Sequence, residues 1–340
     1  MLPDSIGCTQ SEVVNTVTQV GSTPLLFKQN ALSLPSRVLT HGDFAKSVLA
    51  VRQLLIGENN DSRDFIGQTY YLLGWFVGDL GKHFGPERLM TASVDLELTR
   101  RHPENLLLGE YVMRCVRNLG VPADRRPDRK SSKSAPNGTF YWYSRRSPIF
   151  GWFHKGCLGL KWNERTSSHG VTMEWILSSP PDCRVWFLRG LADSDGDVHF
   201  KDKTVDITTS PNTNLIRSLL SSVGCHPSTS FDGRVSRVTI TLSDAARIGI
   251  FNPDVHTHRR KILEKLLGAS TFERRWPVWL QEEVEKLFEA GFTVKEVRDH
   301  LFSEKNVFVK LHTLNRKSIQ CKTKKTRIEE CRGRDSRQPL

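Results

Sequence analysis

The stretch FLRGLADSDGDV, residues 187–198, carries three carboxylates near its end, at Asp193, Asp195 and Asp197. Its first residues are apolar and read as a helix, and carboxylates at a helix C-terminus face the negative end of the macrodipole. That costs about 0.3–1 kcal/mol each, so something must compensate. Three chemistries compete. A calcium loop of EF-hand type matches the D-x-D-x-D start, but Val198 stands where that loop needs glycine and Thr204 where it closes on glutamate. Local capping of backbone amides is a common fate for isolated aspartates. The third is a divalent-metal site shared by two helix ends, each donating one carboxylate.

A second copy of the stretch decides in favour of the third for one residue. In YYLLGWFVGDLGKHF, residues 70–84, Gly74, Gly78 and Asp79 occupy the positions of Gly190, Ser194 and Asp195, 116 residues upstream. Val77 stands where Asp193 would be, so Asp193 and Asp197 are assigned to local structure. Small residues four apart let two helix backbones approach closely. If these helices pack about a pseudo-twofold axis, Asp79 and Asp195 lie side by side at one end. A hard cation such as Mg²⁺ (or Mn²⁺) needs few carboxylates and completes its shell with water and phosphate oxygens.

The elements that must hold this pair repeat as well. SVDLEL (93–98) parallels TVDITT (204–209), EYVMRCVRNLGVPA (110–123) parallels NLIRSLLSSVGCHP (214–227), and GTFYWYSRRSPIFGWF (138–153) parallels RVSRVTITLSDAARIGIF (234–251). Each unit reads helix, two strands, helix, two strands, helix. Pro180, Pro181 and Asp182 suit a helix start, and Gly196 suits a left-handed cap at its end. Asp232-Gly233 reads as a hairpin turn. In the strand that follows, Val238, Ile240 and Leu242 share one face, while Arg237, Thr239 and Thr241 point to the other. That second face is either a DNA surface or a solvated sheet face.

Charge favours a polyanionic partner. The 340-residue chain carries a formal +12, which points to nucleic acid first and an anionic membrane surface second. No apolar run approaches the ~20 residues of a membrane helix, and Asp4 and Glu12 with no apolar core between argue against a signal peptide. Seven cysteines without a CxxC pair fit reduced thiols. DRRPDRKSSK (124–133) places Arg125, Arg126, Arg129, Lys130 and Lys133 in a basic hairpin loop, suited to phosphate contact or to solubility. Residues 279–319 read as three helices, with breaks at Gly291 and a Thr293/Glu296 capping box. This resembles a helix-turn-helix whose third helix carries Lys310, Thr313, Asn315, Arg316 and Lys317, though with a longer turn. From Lys305 onward eleven Lys/Arg face three Asp/Glu. DFAKSVLAVRQLL (43–55) has helical periodicity, but residues 1–62 have no assignable role.

LRGLADSDG (188–196) resembles the motif that names the LAGLIDADG homing endonucleases, and LLGWFVGDL (72–80) looks like a diverged first copy in which Val77 and Leu80 replace the motif's aspartate and final glycine. The resemblance spans roughly residues 64–268. It implies an α+β fold of two pseudo-symmetric αββαββα repeats, each sheet of four strands forming a saddle over DNA; the helices read in 279–319 add a small all-α domain. The domains on this reading are 1–62, repeats at 63–172 and 173–268, a helical unit at 276–320 and a basic tail at 321–340. The resemblance further implies that Asp79 and Asp195 bind metal and that a basic residue sits near each scissile phosphate, for which Lys161 and Arg260 or Lys261 are candidates. DNA contacts would come from Arg125, Arg126, Arg129, Lys130, Arg145, Lys201, Lys203, Arg234, Arg237, Thr239, Lys310, Asn315, Arg316 and Lys317. The expectation is a monomeric, Mg²⁺- or Mn²⁺-dependent, site-specific endonuclease acting on a long asymmetric double-stranded target. Its place would be the cytoplasm, with the nucleoid, or the organelle encoding it. A transcription regulator without cleavage and an RNA maturase bound to its host intron are the rival readings. An intein is disfavoured because the chain lacks the terminal His-Asn that splicing needs.

Overall fold

The computed structural model describes residues 34–319 except 57–62, 86–88, 98–103, 132–135, 200–201, 210, 232, 234, 256 and 272–275. By internal contacts the chain divides into two units, Met1–Val198 with Thr204–Lys261, and His199–Lys203 with Ile262–Leu340.

The first unit is an α+β structure built of two repeats. After α1 (His41–Ile56) comes α2 (Arg63–Val77), then β1 (Gly81–Phe84), β2 (Met90–Glu97), α3 (Glu104–Asn118), β3 (Ala123–Arg129), β4 (Thr139–Ser144) and the short α4 (Pro148–Trp152). The second repeat runs α5 (Pro181–Asp195), β5 (Gly196–His199), β6 (Thr204–Thr208), α6 (Thr213–Ser222), β7 (Ser228–Phe231), β8 (Ser236–Thr241) and α7 (Leu242–Ile248), followed by α8 (His258–Gly268). Both sheets have four strands, in the matching orders β1-β2-β4-β3 and β5-β6-β8-β7. The registers match too: Asp95 pairs with Tyr141, and Asp206 with Thr239.

The core lies between the sheets' inner faces and the helices. Leu72, Leu73, Trp75 and Phe76 are all buried around α2, as a helix enclosed on every side requires. On β4, Phe140 and Trp142 are buried while Thr139, Tyr141 and Tyr143 are half-exposed. On β8 the same alternation buries Val238 and Ile240 and leaves Arg237 and Thr239 on the outer face. This is the half-buried antiparallel pattern in which one face packs and the other meets solvent.

Helices α2 and α5 meet backbone to backbone. A Cβ built on Gly190 would lie 1.9 Å from the Tyr71 carbonyl oxygen, and one on Gly74 would lie 2.2 Å from that of Phe187. Only glycine permits this approach.

Two local expectations need correction. Gly196 is not a left-handed cap: its backbone is extended (φ −82°, ψ 156°), because the chain runs straight from α5 into β5. Glycine is needed there because a Cβ would sit 2.4 Å from the Ala192 carbonyl oxygen. The stretch 124–129 is not a hairpin loop but most of β3, an edge strand with a register shift between Arg126 and Arg129. An edge position tolerates Pro127, which cannot donate to a ladder, and its charges guard the open side.

Residues 34–56 are integral to this unit. Phe44 is fully buried against Tyr70, Trp152 and Trp175. The Val38 N–H donates to the Gly156 carbonyl and the Trp152 indole N–H to that of Pro35.

The second unit holds α9 (Val278–Glu289), α10 (Val294–Lys305) and a helix over 311–319. Its core is Trp276, Leu280, Val284, Leu287, Val297, Leu301, Val309 and Leu314, among others. The Thr293/Glu296 capping box forms in both directions. The connection before 311–319 contains a left-handed Asn306 and a short strand β10 (Val307–Phe308) pairing in parallel with β9 (Ser270–Thr271). It is therefore not the tight turn of a simple helix-turn-helix.

Candidate active site

The close approach of α2 and α5 brings their C-terminal ends together. Asp195 is the last residue of α5, and Asp79 lies in the two-residue turn between α2 and β1. The Asp195 carboxylate leans across the helix pair: its Oδ2 would lie 2.8 Å from a Cβ on Gly78, the neighbour of Asp79. The two carboxyl groups are close enough to interact electrostatically. Burial pushes the Asp195 carboxyl well above its ordinary range, and the charge of Asp79 pushes it further. Both effects penalise the charged form. Arg259 and Lys82 act in the opposite direction.

Those two cations were not among the residues expected from sequence. Lys82, on β1, is held beside the pair by a hydrogen bond from Nζ to Thr166 Oγ1 of 2.9 Å, with the Phe76 ring 5.2 Å from its ammonium. Burial lowers its pKa to about 8, while Asp195 and Asp79 pull the other way. Arg259, on α8, donates from Nη1 to the Asp193 carbonyl and from Nη2 to that of Ser194 at 3.4 Å. It thus caps the free carbonyls at the end of α5, where a cation also offsets the macrodipole.

The expected basic residues lie elsewhere. Arg260 donates to the carbonyls of Asn252 and Pro253, and Lys261 pairs with Glu104 at 3.4 Å. Lys161 is exposed, its backbone N–H bound by Glu164 and its carbonyl accepting from His154. Helical register could have separated Arg259 from its neighbours, because it stands four and seven residues before the buried Leu263 and Leu266. Lys82 was legible only as a lysine three residues past a motif aspartate, and Thr166 had no signal at all.

Asp193 lies apart from the pair, in the core. Its Oδ2 accepts from the Tyr71 hydroxyl at 2.8 Å and the Asn252 N–H at 3.2 Å, and burial pushes its carboxyl up to about 7. Tyr71 is on α2, so this bond ties the two motif helices together. Asp197 binds the Val198 N–H at 2.8 Å.

Both outer sheet faces are polar, but with different chemistry. On the first, Arg126 stands opposite Tyr141, and the Arg129 guanidinium lies 3.7 Å from the Tyr141 ring centroid while pairing with Asp95 at 3.1 Å. Arg125 faces the other way: it stands opposite the buried Trp142, lies over Phe140 and pairs with Asp128. Lys130 and Arg145 are exposed. On the second sheet Arg237 pairs in register with Thr208 and Ser230, and Thr239 with Asp206 and Ser228. Lys201 and Arg234 lie outside the described residues.

In the second unit, Lys203 has a positive φ of 55° and its ammonium 4.7 Å from the Phe308 ring. Lys310, Asn315 and Arg316 are exposed, and the Lys317 ammonium lies 5.9 Å from the Trp276 ring. No helix among the described residues is long and apolar enough to cross a membrane.

No family model matches the chain, and no curated protein matches it. Among solved structures it is similar to I-DmoI in complex with DNA and Mn, at 17% identity over 54% of this chain and 94% of that one, with a TM-score of 0.38. It is similar to the homing endonuclease I-WcaI bound to its DNA recognition sequence, at 13% identity over 62% and 97%, with a TM-score of 0.40. It is also similar to the N-terminal LAGLIDADG domain of DUF199/WhiA, at 12% identity over 64% and 93%, with a TM-score of 0.34. Likeness this distant assigns no residue a role; the α+β architecture stands on the matched sheet orders and the paired motif helices of this chain.

Proposed function

We propose that the chain is a site-specific, divalent-metal-dependent DNA endonuclease that hydrolyses one phosphodiester in each strand of a long asymmetric target. The observation that carries this reading is the juxtaposition of Asp79 and Asp195 at the end of a helix pair in backbone contact. Asp79 is exposed and Asp195 half-buried, so the pair opens to solvent, and without a cation between them the two carboxylates repel.

The residues present fit a hard divalent cation. Both donors are carboxylate oxygens, one is driven by burial and its neighbour toward protonation, and the described residues offer no larger cluster of acids, histidines or cysteines. Mg²⁺ or Mn²⁺ suits such a sparse oxygen site. Bound between Asp79 and Asp195, the metal would activate water and stabilise the attacking and leaving oxygens. Lys82 sits where its ammonium can meet a phosphate oxygen, and Arg259 holds the end of α5 so that Asp195 keeps its aim. Arg126, Tyr141, Arg237 and Thr239 present donors and ring faces on the outer sheet surfaces, which are the reading heads for DNA. Lys310, Asn315 and Arg316 give the C-terminal unit a second, phosphate-contacting role in the manner of a recognition helix.

The test is incubation of the protein with Mg²⁺ and its uninterrupted host locus, beside Asp195→Asn. The expected result is one cut per strand by the wild type and none by the variant. Specific binding with no cleavage by the wild type overturns the nuclease reading and favours a regulator. Binding confined to host intron RNA favours a maturase.

A further inference from the structure

Thr166 belongs to the segment joining the two repeats, far in sequence from either motif. It is 5% exposed, and its hydroxyl accepts the hydrogen bond from Lys82 Nζ. The Phe76 ring lies 5.2 Å from this ammonium, and the lysine charge opposes protonation of His154. The ammonium also feels both carboxylates, yet no ion pair within 4 Å joins Lys82 to Asp79 or Asp195. A lysine side chain has four flexible carbons, and its ammonium is attracted to carboxylates. The Thr166 hydroxyl is the acceptor that holds it instead.

We propose that Thr166 is a positioning residue, tethering the Lys82 ammonium off the Asp79–Asp195 pair so that the carboxylates stay open to a divalent cation and the ammonium stays free for a phosphate. The tether explains why a joining segment contributes a buried hydroxyl to this corner. Without it, the ammonium is drawn to the carboxylates whose charge it already feels, and the lysine becomes an internal competitor of the metal. This inference rests on the acid pair being the metal site of the proposed nuclease.

The experiment is Mn²⁺ titration of the full chain without DNA, followed by electron paramagnetic resonance, for wild type, Thr166→Val, Thr166→Ser, Lys82→Met and the Thr166→Val/Lys82→Met double variant. An ammonium drawn onto the carboxylates competes electrostatically with the cation, which predicts Mn²⁺ binding weakened about tenfold in Thr166→Val. Serine restores it. The double variant binds as Lys82→Met does, because with no ammonium there is nothing to tether. On cleavable DNA, Thr166→Val lowers kcat with KM for DNA little changed. Unchanged Mn²⁺ affinity in Thr166→Val overturns the proposal. So does an equal loss with and without Lys82, which is what a packing defect gives and which still decides the matter if the valine variant is poorly folded. A wild type that binds Mn²⁺ at the pair but cuts no DNA refutes the nuclease reading while the tether remains decided by the titration. A wild type whose Mn²⁺ binding is indifferent to Asp79→Asn and Asp195→Asn overturns both.

Discussion

Replacing Gly190 by alanine tests the backbone contact on which the acid pair depends. The added methyl would stand 1.9 Å from the Tyr71 carbonyl oxygen, where an ordinary contact begins at 3.4 Å. The obstacle is backbone, so no side chain can swing aside, and α2 and α5 must separate by about 1.5 Å at that point. A radial gap of about 1 Å already forfeits up to about half of a dispersion well. Overpacking of this kind costs about 3 kcal/mol at the upper end of the usual range. Alanine returns about 1 kcal/mol through helix propensity, leaving a net loss of about 2 kcal/mol. For a unit of this size that is a fall in Tm of about 4–8 °C. The assay is thermal and urea unfolding beside Gly42→Ala, where the methyl meets only Thr40 Oγ1 at 3.6 Å and no destabilisation is expected. Mn²⁺ affinity should fall in Gly190→Ala as the carboxylates part. A Gly190→Ala protein as stable as wild type refutes the reasoning, because the helices then cannot be in contact there.

Other outcomes follow from the same geometry. Asp193, with a folded pKa of about 7 against 3.8 unfolded, binds its proton more tightly when folded, so its contribution makes stability fall as pH rises between those values. The full effect is on the order of 4 kcal/mol above pH 7, and urea midpoints at pH 5 and 8 should differ less in Asp193→Asn than in wild type. Asp195→Asn and Asp79→Asn relieve the repulsion between an exposed and a half-buried carboxylate, so each should raise Tm slightly without metal while removing Mn²⁺ binding; a lowered Tm counts against the paired-acid geometry. Arg126→Ala should weaken DNA binding and reduce the slope of log K against log salt by about one, whereas Arg125→Ala, on the inner side of the sheet, should leave that slope unchanged.

Much of this was legible in the sequence, for physical reasons particular to certain residues. Gly74 and Gly190 announced the helix contact because any larger side chain would hold the two main chains apart, and their recurrence beside Asp79 and Asp195 gave the pairing. Alternation in RVSRVTITL placed Arg237 and Thr239 on the outer face because a strand buries one side only. The edge strand at 123–129 was hidden by its proline and charges, which read as loop until its place at the end of a sheet is known. Arg259 was overlooked beside Arg260 and Lys261, since three adjacent cations differ only in helical phase. Thr166 could not be read in advance: its role depends on where the joining segment passes, and no local pattern encodes that path.

The contact of α2 with α5 also decides which partner must adapt. Two carboxylates set at the ends of helices whose main chains touch, one on the last residue of α5 and one in the turn after α2, cannot move far apart without unpacking the core, so the centre has no jaw to close. On the nuclease reading, any mismatch between that spacing and the separation of the two scissile phosphates falls on the duplex. Targets with easily deformed pyrimidine–purine steps at their centre should then be preferred over stiff A-tracts at positions no side chain reaches. Selectivity would thus come partly from the stiffness of two glycines.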